Sequence, residues 1–268
     1  MTIPAHSTAL VTGASAGIGA IYADRLAKRG HDLILVARDA ARLTALAERL
    51  RAETGRKIDI LPADLTDPAH LALVAQVIAD APNLGILVNN AGMALTGTLT
   101  TSPEAEVARL IALNVTAPSL LARAAAIRLS AAGAGAIINL SSVLALIPES
   151  FDATYSATKA FILNLSQGLA QELASSGVQV QAVLPGATRT EIWERSGKDI
   201  DSFPSEMVMA VDDLVDAALV GLDRGETVTI PPLADLADWE TMQTARLALG
   251  PQLSKRDVAA RYAAAATA

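Results

Sequence analysis

Short apolar runs alternate with longer runs of helical period from the start of the chain. TALVTG at 8–13 is apolar on both faces and reads as a buried strand, and Ile18 to Arg29 follow with helical spacing and stop at Gly30. DLILVA at 32–37 is the next strand. The run Ala40 to Thr54 carries Leu43, Leu46, Ala47 and Leu50 on one helical face and is closed by Gly55. Further strands begin near 58, 84, 134 and 178, in IDILPAD, LGILVNNAG, AGAIINLSS and VQVQAVLPG, and helical runs at 67–80, 103–131 and 153–176 separate them. TVTIPP at 227–232 predicts a last strand. Strands this apolar belong in a parallel sheet covered by helices, and right-handed crossovers wind such a sheet doubly. The pattern therefore predicts one α/β domain over residues 1–268: a doubly wound parallel sheet with helices on both faces. The stretch at about 187–210 breaks the rhythm, and about 233–268 reads as a helical, Ala-rich tail.

Composition narrows the partners. A hydrophobic content of 51% with 18% charged residues supplies a large core. The net charge of −7 gives no basic footprint, which argues against nucleic acid and anionic membranes. Zero cysteines exclude thiolate chemistry and disulfides, and with only three scattered histidines no metal site is expected. MTIPAHSTALVTG shows no secretory signal, and no apolar run reaches the ~18 residues of a membrane span. A cytoplasmic protein is expected.

The first strand runs into Thr12-Gly-Ala-Ser-Ala-Gly-Ile-Gly19. Glycines at 13, 17 and 19 allow a tight turn and close approach of a diphosphate, and the following helix offers it unpaired amides. A lone glycine triplet is weak; one between a strand and a helix has the required context. The spacing TGxxxGxG resembles that of the short-chain dehydrogenase/reductase family in its compact single-domain branch, and the likeness runs from about Thr8 to Ile230. It implies a Rossmann-like fold and cofactor contacts from Gly13, Ser15, Gly17, Ile18 and Gly19.

About 20 residues further on, an acidic side chain would hold the ribose hydroxyls of NAD. Here Ala37 fills that place and Arg38 follows, whose guanidinium suits a 2′-phosphate, so NADP(H) is expected. The alternative, NAD held by Asp39, competes with a helix N-cap role for that residue. By the resemblance, Asp64 and Leu65 contact adenine, although Asp64 also suits a helix cap. Asn90, Ala91 and Gly92 of NNAG touch the adenosine ribose while the motif locks the sheet.

The stretch TYSATKAFI places Tyr155 and Lys159 one helical turn apart, between strands ending in Ser141-Ser142 and Pro185-Gly186. A free phenol, with a pKa of about 10, is a poor acid–base catalyst at neutral pH. A cation ~4 Å away at an effective dielectric near 20 favours phenolate by about 4 kcal/mol, about three pKa units. Ser142, 13 residues before Tyr155, and Asn114 in the LNV stretch complete the Asn–Ser–Tyr–Lys set of the family. The resemblance implies that Tyr155 exchanges a proton with the substrate oxygen and that Ser142 polarises the carbonyl. Lys159 would hold the nicotinamide ribose and acidify the phenol, and Asn114 would hold a relay water. Pro185, Gly186, Thr188 and Thr190 match PGxxxT, which holds the carboxamide end of the nicotinamide. Ser142 has no GxSxG around it, so a serine hydrolase is set aside.

Val143–Phe151 and 187–210 flank the expected reaction centre, the latter as a substrate lid. All three Phe and both Trp lie in the second half of the chain, which suggests an apolar wall and a lipophilic ketone, aldehyde or secondary alcohol. Arg189, Arg195 and Lys198 are the basic residues near it. A homodimer or homotetramer is expected from the resemblance. The rival functions are an NAD-dependent alcohol dehydrogenase and a non-catalytic dinucleotide-sensing regulator.

Overall fold

The structure is a computed structural model and describes residues 3–262; Met1, Thr2 and the last residues of the expected tail, 263–268, lie outside the described part. The chain divides into two units, Met1–Pro231 and Pro232–Ala268. The boundary falls beside the Pro231-Pro232 pair, next to the expected start of the tail.

The first unit carries seven parallel strands: β1 (Thr8–Thr12), β2 (Asp32–Ala37), β3 (Ile58–Pro62), β4 (Leu84–Asn89), β5 (Gly135–Leu140), β6 (Val178–Val183) and β7 (Val228–Thr229). Their order is β3-β2-β1-β4-β5-β6-β7, so the chain reverses its direction of travel across the sheet between β1 and β4. A crevice beyond the carboxyl ends of the strands at such a reversal is where ligands bind in open α/β sheets. In register, Leu10 faces Ile34 on one side and Leu87 on the other. Its neighbours in β1 alternate between two cores: Ala9 and Val11 join one, Leu10 the other.

One core packs under α1 (Gly17–Lys28), α2 (Ala40–Thr54) and α8 (Val211–Asp223), through residues such as Tyr22, Leu26, Leu43, Leu50 and Leu219. The other packs under α3 (Pro68–Asp80) and α5 (Ala117–Ala132), through Val74, Ile78, Leu121, Ala125 and Leu129. Between them in chain order stand α4 (Glu104–Ile111), α6 (Ala153–Glu172) and the short α7 (Ile192–Arg195). Helices thus cover both faces, as expected for a doubly wound sheet.

Two predicted elements differ. The run expected as one helix at 103–131 is α4 and α5 joined by a π turn at Ala112–Thr116. Pro118, at the start of α5, has no amide to donate, and the wider turn ahead of it absorbs the missing bond. The last strand shrinks from 227–232 to two residues: Val228 and Thr229 pair in register with Ala182 and Val183 of β6, and Thr227 adds one carbonyl bond to the Ala182 amide. The continuous segment Glu104–Ala132 is long and apolar enough to cross a membrane, yet its inward face is spent on the core. In the second unit, α9 (Leu236–Ala248) is helical as expected, capped by Asp235, and short 3₁₀ turns follow at Gly250–Gln252 and Ala260–Tyr262.

Candidate active site

The turn after β1 is held by close backbone approach. Gly13 has φ 67°, and a Cβ there would lie 2.7 Å from Asn90 Nδ2; a Cβ on Gly19 would lie 2.4 Å from the Gly13 carbonyl oxygen. Only hydrogen fits at either place. Helix α1 begins at Gly17 without a side-chain cap or an acidic residue in its first turn. Its first amides and partial positive charge, with Ser15 and Ile18 in the same bend, are left facing outward, a cradle suited to a diphosphate. A Cβ on Gly17 would stand 3.4 Å from the Thr190 methyl, so the PGxxxT segment reaches the glycine turn.

Thr12, to which no site role was assigned from the sequence, is the hub beneath this cradle. Its hydroxyl donates to the Val88 carbonyl at 3.2 Å and accepts the amides of Asn90 at 3.0 Å and Ala91 at 3.1 Å. Asn90 Nδ2 returns a bond of 2.9 Å to the Thr12 carbonyl. Asn89 meanwhile donates to Asn139 on β5 and to the Pro118 carbonyl, which locks the sheet centre.

At the adenosine end the two candidate residues separate cleanly. Asp39 caps α2, accepting the Arg42 amide at 3.0 Å, and also faces the Arg42 guanidinium. Arg38 is exposed and makes no hydrogen bond or ion pair among the described residues. Its charge is therefore free for a phosphate. Asp64 accepts the amide and hydroxyl of Thr66 and pairs with Arg109 at 3.3 Å, while Asp67 caps α3. Burial raises the Asp64 pKa, but the Thr66 bonds, Arg109 and Arg38 outweigh it and hold the carboxyl below its usual range. A cleft of about 430 Å³ opens beside it, lined by Asp64, Thr66, Ala108, Arg109 and Ala112, and Leu65 is buried next in sequence.

The four expected catalytic residues come from three places: the π turn, the end of β5 and α6. The π turn carries Asn114, buried, whose Oδ1 accepts the Met93 amide at 2.9 Å and whose Nδ2 donates to the Met93 carbonyl at 2.8 Å. Nδ2 also reaches Thr158 Oγ1 at 3.2 Å. Both ends of the amide are thus engaged by protein, and the visible role of Asn114 is a clamp between the β4 loop and α6. A Cβ on Gly92 would lie 3.3 Å from Asn114 Oδ1 and 3.7 Å from Lys159 Nζ, which brings NNAG to the tetrad. The two serines divide their duties. Ser141 Oγ donates to the Lys159 carbonyl at 2.7 Å and pins α6 to β5, whereas Ser142 stands at the rim, capping the turn Val143–Ala145. The Val143 amide donates to the Pro185 carbonyl at 3.0 Å, so the β5 and β6 ends meet there. Thr188 is buried and donates to the Gly186 carbonyl.

Tyr155 and Lys159 face each other across a turn of α6, with Nζ 5.5 Å from the ring centre. The expected acidification of the phenol is not what the environment produces. Burial pushes the Tyr155 pKa up, and burial pushes the Lys159 ammonium down to about 8. Desolvation penalises charge on both partners, and Nζ is held by the Leu140 carbonyl, to which it donates at 2.9 Å. Without cofactor and substrate the phenol therefore carries its proton at neutral pH. Its hydroxyl makes no hydrogen bond among the described residues.

An aromatic wall adjoins the phenol. Phe151 meets the Tyr155 ring edge-on at 5.7 Å and Trp193 at 6.2 Å, and Trp193 packs on Phe203 at 5.1 Å. Sequence reading gathered these residues only by composition; the contacts join segments some 40 residues apart. The stretch 187–210 closes on itself where the Met209 amide donates to the Ala187 carbonyl at 2.9 Å. It is tied to α2 by Arg42–Glu191 at 2.7 Å.

A family model described as short chain dehydrogenase matches residues 7–201. A short-chain dehydrogenase from Sphingobium yanoikuyae, solved in complex with NADPH, is 54% identical with a TM-score of 0.93, covering 96% of this chain and 100% of that one. An alcohol dehydrogenase of Comamonas testosteroni, described as bulky-bulky ketone specific, is 46% identical with a TM-score of 0.90, covering 97% and 100%. The cis-4-hydroxycyclohexanecarboxylate dehydrogenase of Sinomonas cyclohexanicum is 35% identical over 197 residues, 70% of this chain and 76% of that protein.

Proposed function

This chain belongs to the short-chain dehydrogenase family of oxidoreductases, and from that premise we propose that it reduces the carbonyl of a lipophilic small molecule, with Tyr155 as the acid. NADP(H) is the cofactor, and the residues fit it. The cradle of Gly13, Ser15, Gly17, Ile18 and Gly19 suits the diphosphate, Arg38 the 2′-phosphate, and Asp64 and Leu65 the adenine. Asn90, Ala91 and Gly92 would border the ribose. Pro185, Gly186, Thr188 and Thr190 would hold the nicotinamide end. When bound, the reduced nicotinamide supplies a hydride.

The chain's own work is to bind, orient and deliver a proton. Ser142, at the rim beside the β5–β6 junction, donates a hydrogen bond to the substrate oxygen and polarises the carbonyl. Tyr155 gives its hydroxyl proton to that oxygen as the alcohol forms. Lys159, buried beneath, would hold the ribose with its ammonium. Asn114 fixes Met93 and Thr158, and through Thr158, whose hydroxyl donates to the Tyr155 carbonyl at 2.7 Å, keeps α6 in place. The observation that carries the reading is the wall: Phe151, Trp193 and Phe203 continue directly from the Tyr155 ring, so an apolar body beside the reacting carbonyl has somewhere to lie. The bulky-ketone specificity of the Comamonas relative supports it. A cytoplasmic homodimer or homotetramer completes the proposal.

The test measures oxidation of NADPH and of NADH with a panel of ketones and aldehydes, by the wild type and by Arg38→Ala. A charge-assisted contact is worth about 1.5–3 kcal/mol, so Arg38→Ala should raise the KM for NADPH by about 10–100-fold and leave NADH nearly untouched. Equal use of NADH by the wild type would overturn the role of Arg38, and no reduction of any carbonyl compound would overturn the activity.

A further inference from the structure

Three basic residues stand in the stretch 187–210, and two are already neutralised. Arg189 pairs with Asp201 at 2.8 Å and Arg195 with Glu191 at 2.5 Å, both largely in solvent. Lys198 differs from both. Its Nζ sits 3.8 Å from the centre of the Phe151 ring, on the wall that adjoins Tyr155. It forms no ion pair among the described residues, and its hydrogen bond is a long one, 3.4 Å to the Leu95 carbonyl. Leu95 lies three residues beyond Gly92 of the NNAG loop, so the ammonium spans from the lid, across the aromatic wall, to the edge of the cofactor loop.

An ammonium has three donors, and this one has filled a single weak bond while losing part of its water. The half-buried position lowers the Lys198 pKa, although Asp152 pulls it back up. Asp152, the acid whose charge acts on Lys198, caps α6 with Oδ1, accepting the Thr154 amide at 2.9 Å; its Oδ2 is buried with no hydrogen-bond partner among the described residues, yet it stays outside ion-pair distance of Lys198. A partly dehydrated cation with open donors, set on an apolar wall, recruits an anionic acceptor from whatever occupies the cleft.

We propose that Lys198 is a specificity-determining residue that binds a carboxylate carried by the substrate away from its reacting carbonyl. The preferred substrates are then oxo acids with an apolar body, the body lying on Phe151 and Trp193. This rests on the carbonyl-reductase reading above and sharpens its substrate class.

The test compares 4-acetylbenzoate with its methyl ester, which share a ketone and an aromatic body and differ in the charge. The expected wild-type kcat/KM is about tenfold or more higher for the acid. Lys198→Met should lower the value for the acid by about 10–100-fold, mainly through KM, and leave the ester within twofold; Lys198→Arg should restore most of the loss. Calorimetric titration of 4-acetylbenzoate into the NADP-loaded protein gives a readout free of turnover, and the same loss of affinity is expected in Lys198→Met. Equal losses for acid and ester would make Lys198 a strut of the lid and overturn the proposal. So would a wild type that favours the ester, or one that neither reduces nor binds the acid. Reduction of ketones without an acid preference defeats this inference alone. Lys198-dependent binding without reduction of any ketone defeats the reductase reading and leaves the carboxylate site standing.

Discussion

At the β1 end of the cleft, neighbouring parts touch through the backbone of the glycine turn: an added Cβ would lie 3.0 Å from Ala91 Cα at Gly13 and 2.4 Å from the Gly13 carbonyl oxygen at Gly19. At the opposite end, from Pro185 to Ala210, contact is made by side chains: Phe151, Trp193 and Phe203 meet ring to ring, and Arg42 reaches Glu191. The first region is a strand–turn–helix with buried supports; the second is short turns with partly exposed residues. A ligand common to a family can be held by main-chain amides, which any sequence with the right glycines presents. A ligand peculiar to one protein has to be met by side chains, which change without disturbing the sheet. The two ends should therefore fail in different ways when altered.

The largest effect is expected where the ends meet. Tyr155→Phe removes the proton donor and leaves the ring in its contacts with Phe151. Turnover should fall by about 10²–10⁴-fold while NADPH affinity, measured by fluorescence titration, stays within a few-fold of wild type. Retained turnover would mean that another group gives the proton.

Gly19→Ala tests the backbone end. The new methyl would collide with the Gly13 carbonyl oxygen, and overpacking of this kind costs about 1–3 kcal/mol. NADPH affinity should drop by about tenfold or more, with a lower melting temperature, for every substrate alike. Phe203→Ala tests the side-chain end. It deletes one ring pair, worth about 0.5–1.5 kcal/mol, so the KM for a bulky ketone should rise by about 2–10-fold while that for acetone and the Kd for NADPH hold. If Gly19→Ala were selective among ketones, or Phe203→Ala weakened NADPH as much as ketone, the contrast between the ends would dissolve.

The same contrast explains what the sequence disclosed. The doubly wound parallel sheet, the glycine cradle and the convergence of NNAG, Tyr155, Lys159 and PGxxxT were legible, because glycine needs and strand periodicity are local and leave marks residue by residue. Asp39 as a cap and Arg38 as a free cation were legible for the same reason. The π turn at Asn114 was not, since it depends on how Pro118 is absorbed between two helices that read as one. Thr12 as a hub was hidden because its partners, Val88 on β4 and Asn90 and Ala91 in the loop after it, are some 76–79 residues away in the chain. The aromatic wall was visible as a bias in composition and as two stretches flanking the reaction centre, but not as ring contacts, and Lys198 was not distinguished from Arg189 and Arg195 until their acidic partners were placed. The sign of the Tyr155 shift was missed because charge proximity can be counted along a helix, whereas dehydration is set by the packing of other segments.

That last point yields the smallest effect and the most direct check on the buried pair. Lys159 has its pKa lowered to about 8 by burial, against about 10.4 in an unfolded chain. Between those values the unfolded state binds the extra proton, so stability of the protein without cofactor should rise with pH through this window; the penalty for burying the ammonium is fully present below about pH 8 and relieved above it. Tyr155 acts oppositely. Its raised folded pKa means that the unfolded phenol ionises first, so its contribution is lost as pH passes about 10. The clean interval is therefore about pH 8 to 10. Urea unfolding across it should show a gain of about 1–2 kcal/mol in the wild type that disappears in Lys159→Met. A wild type whose stability is flat or falls over the interval, with the variant behaving the same, would mean that the ammonium keeps its water. The raised phenol and the lowered amine would then both lose their common cause.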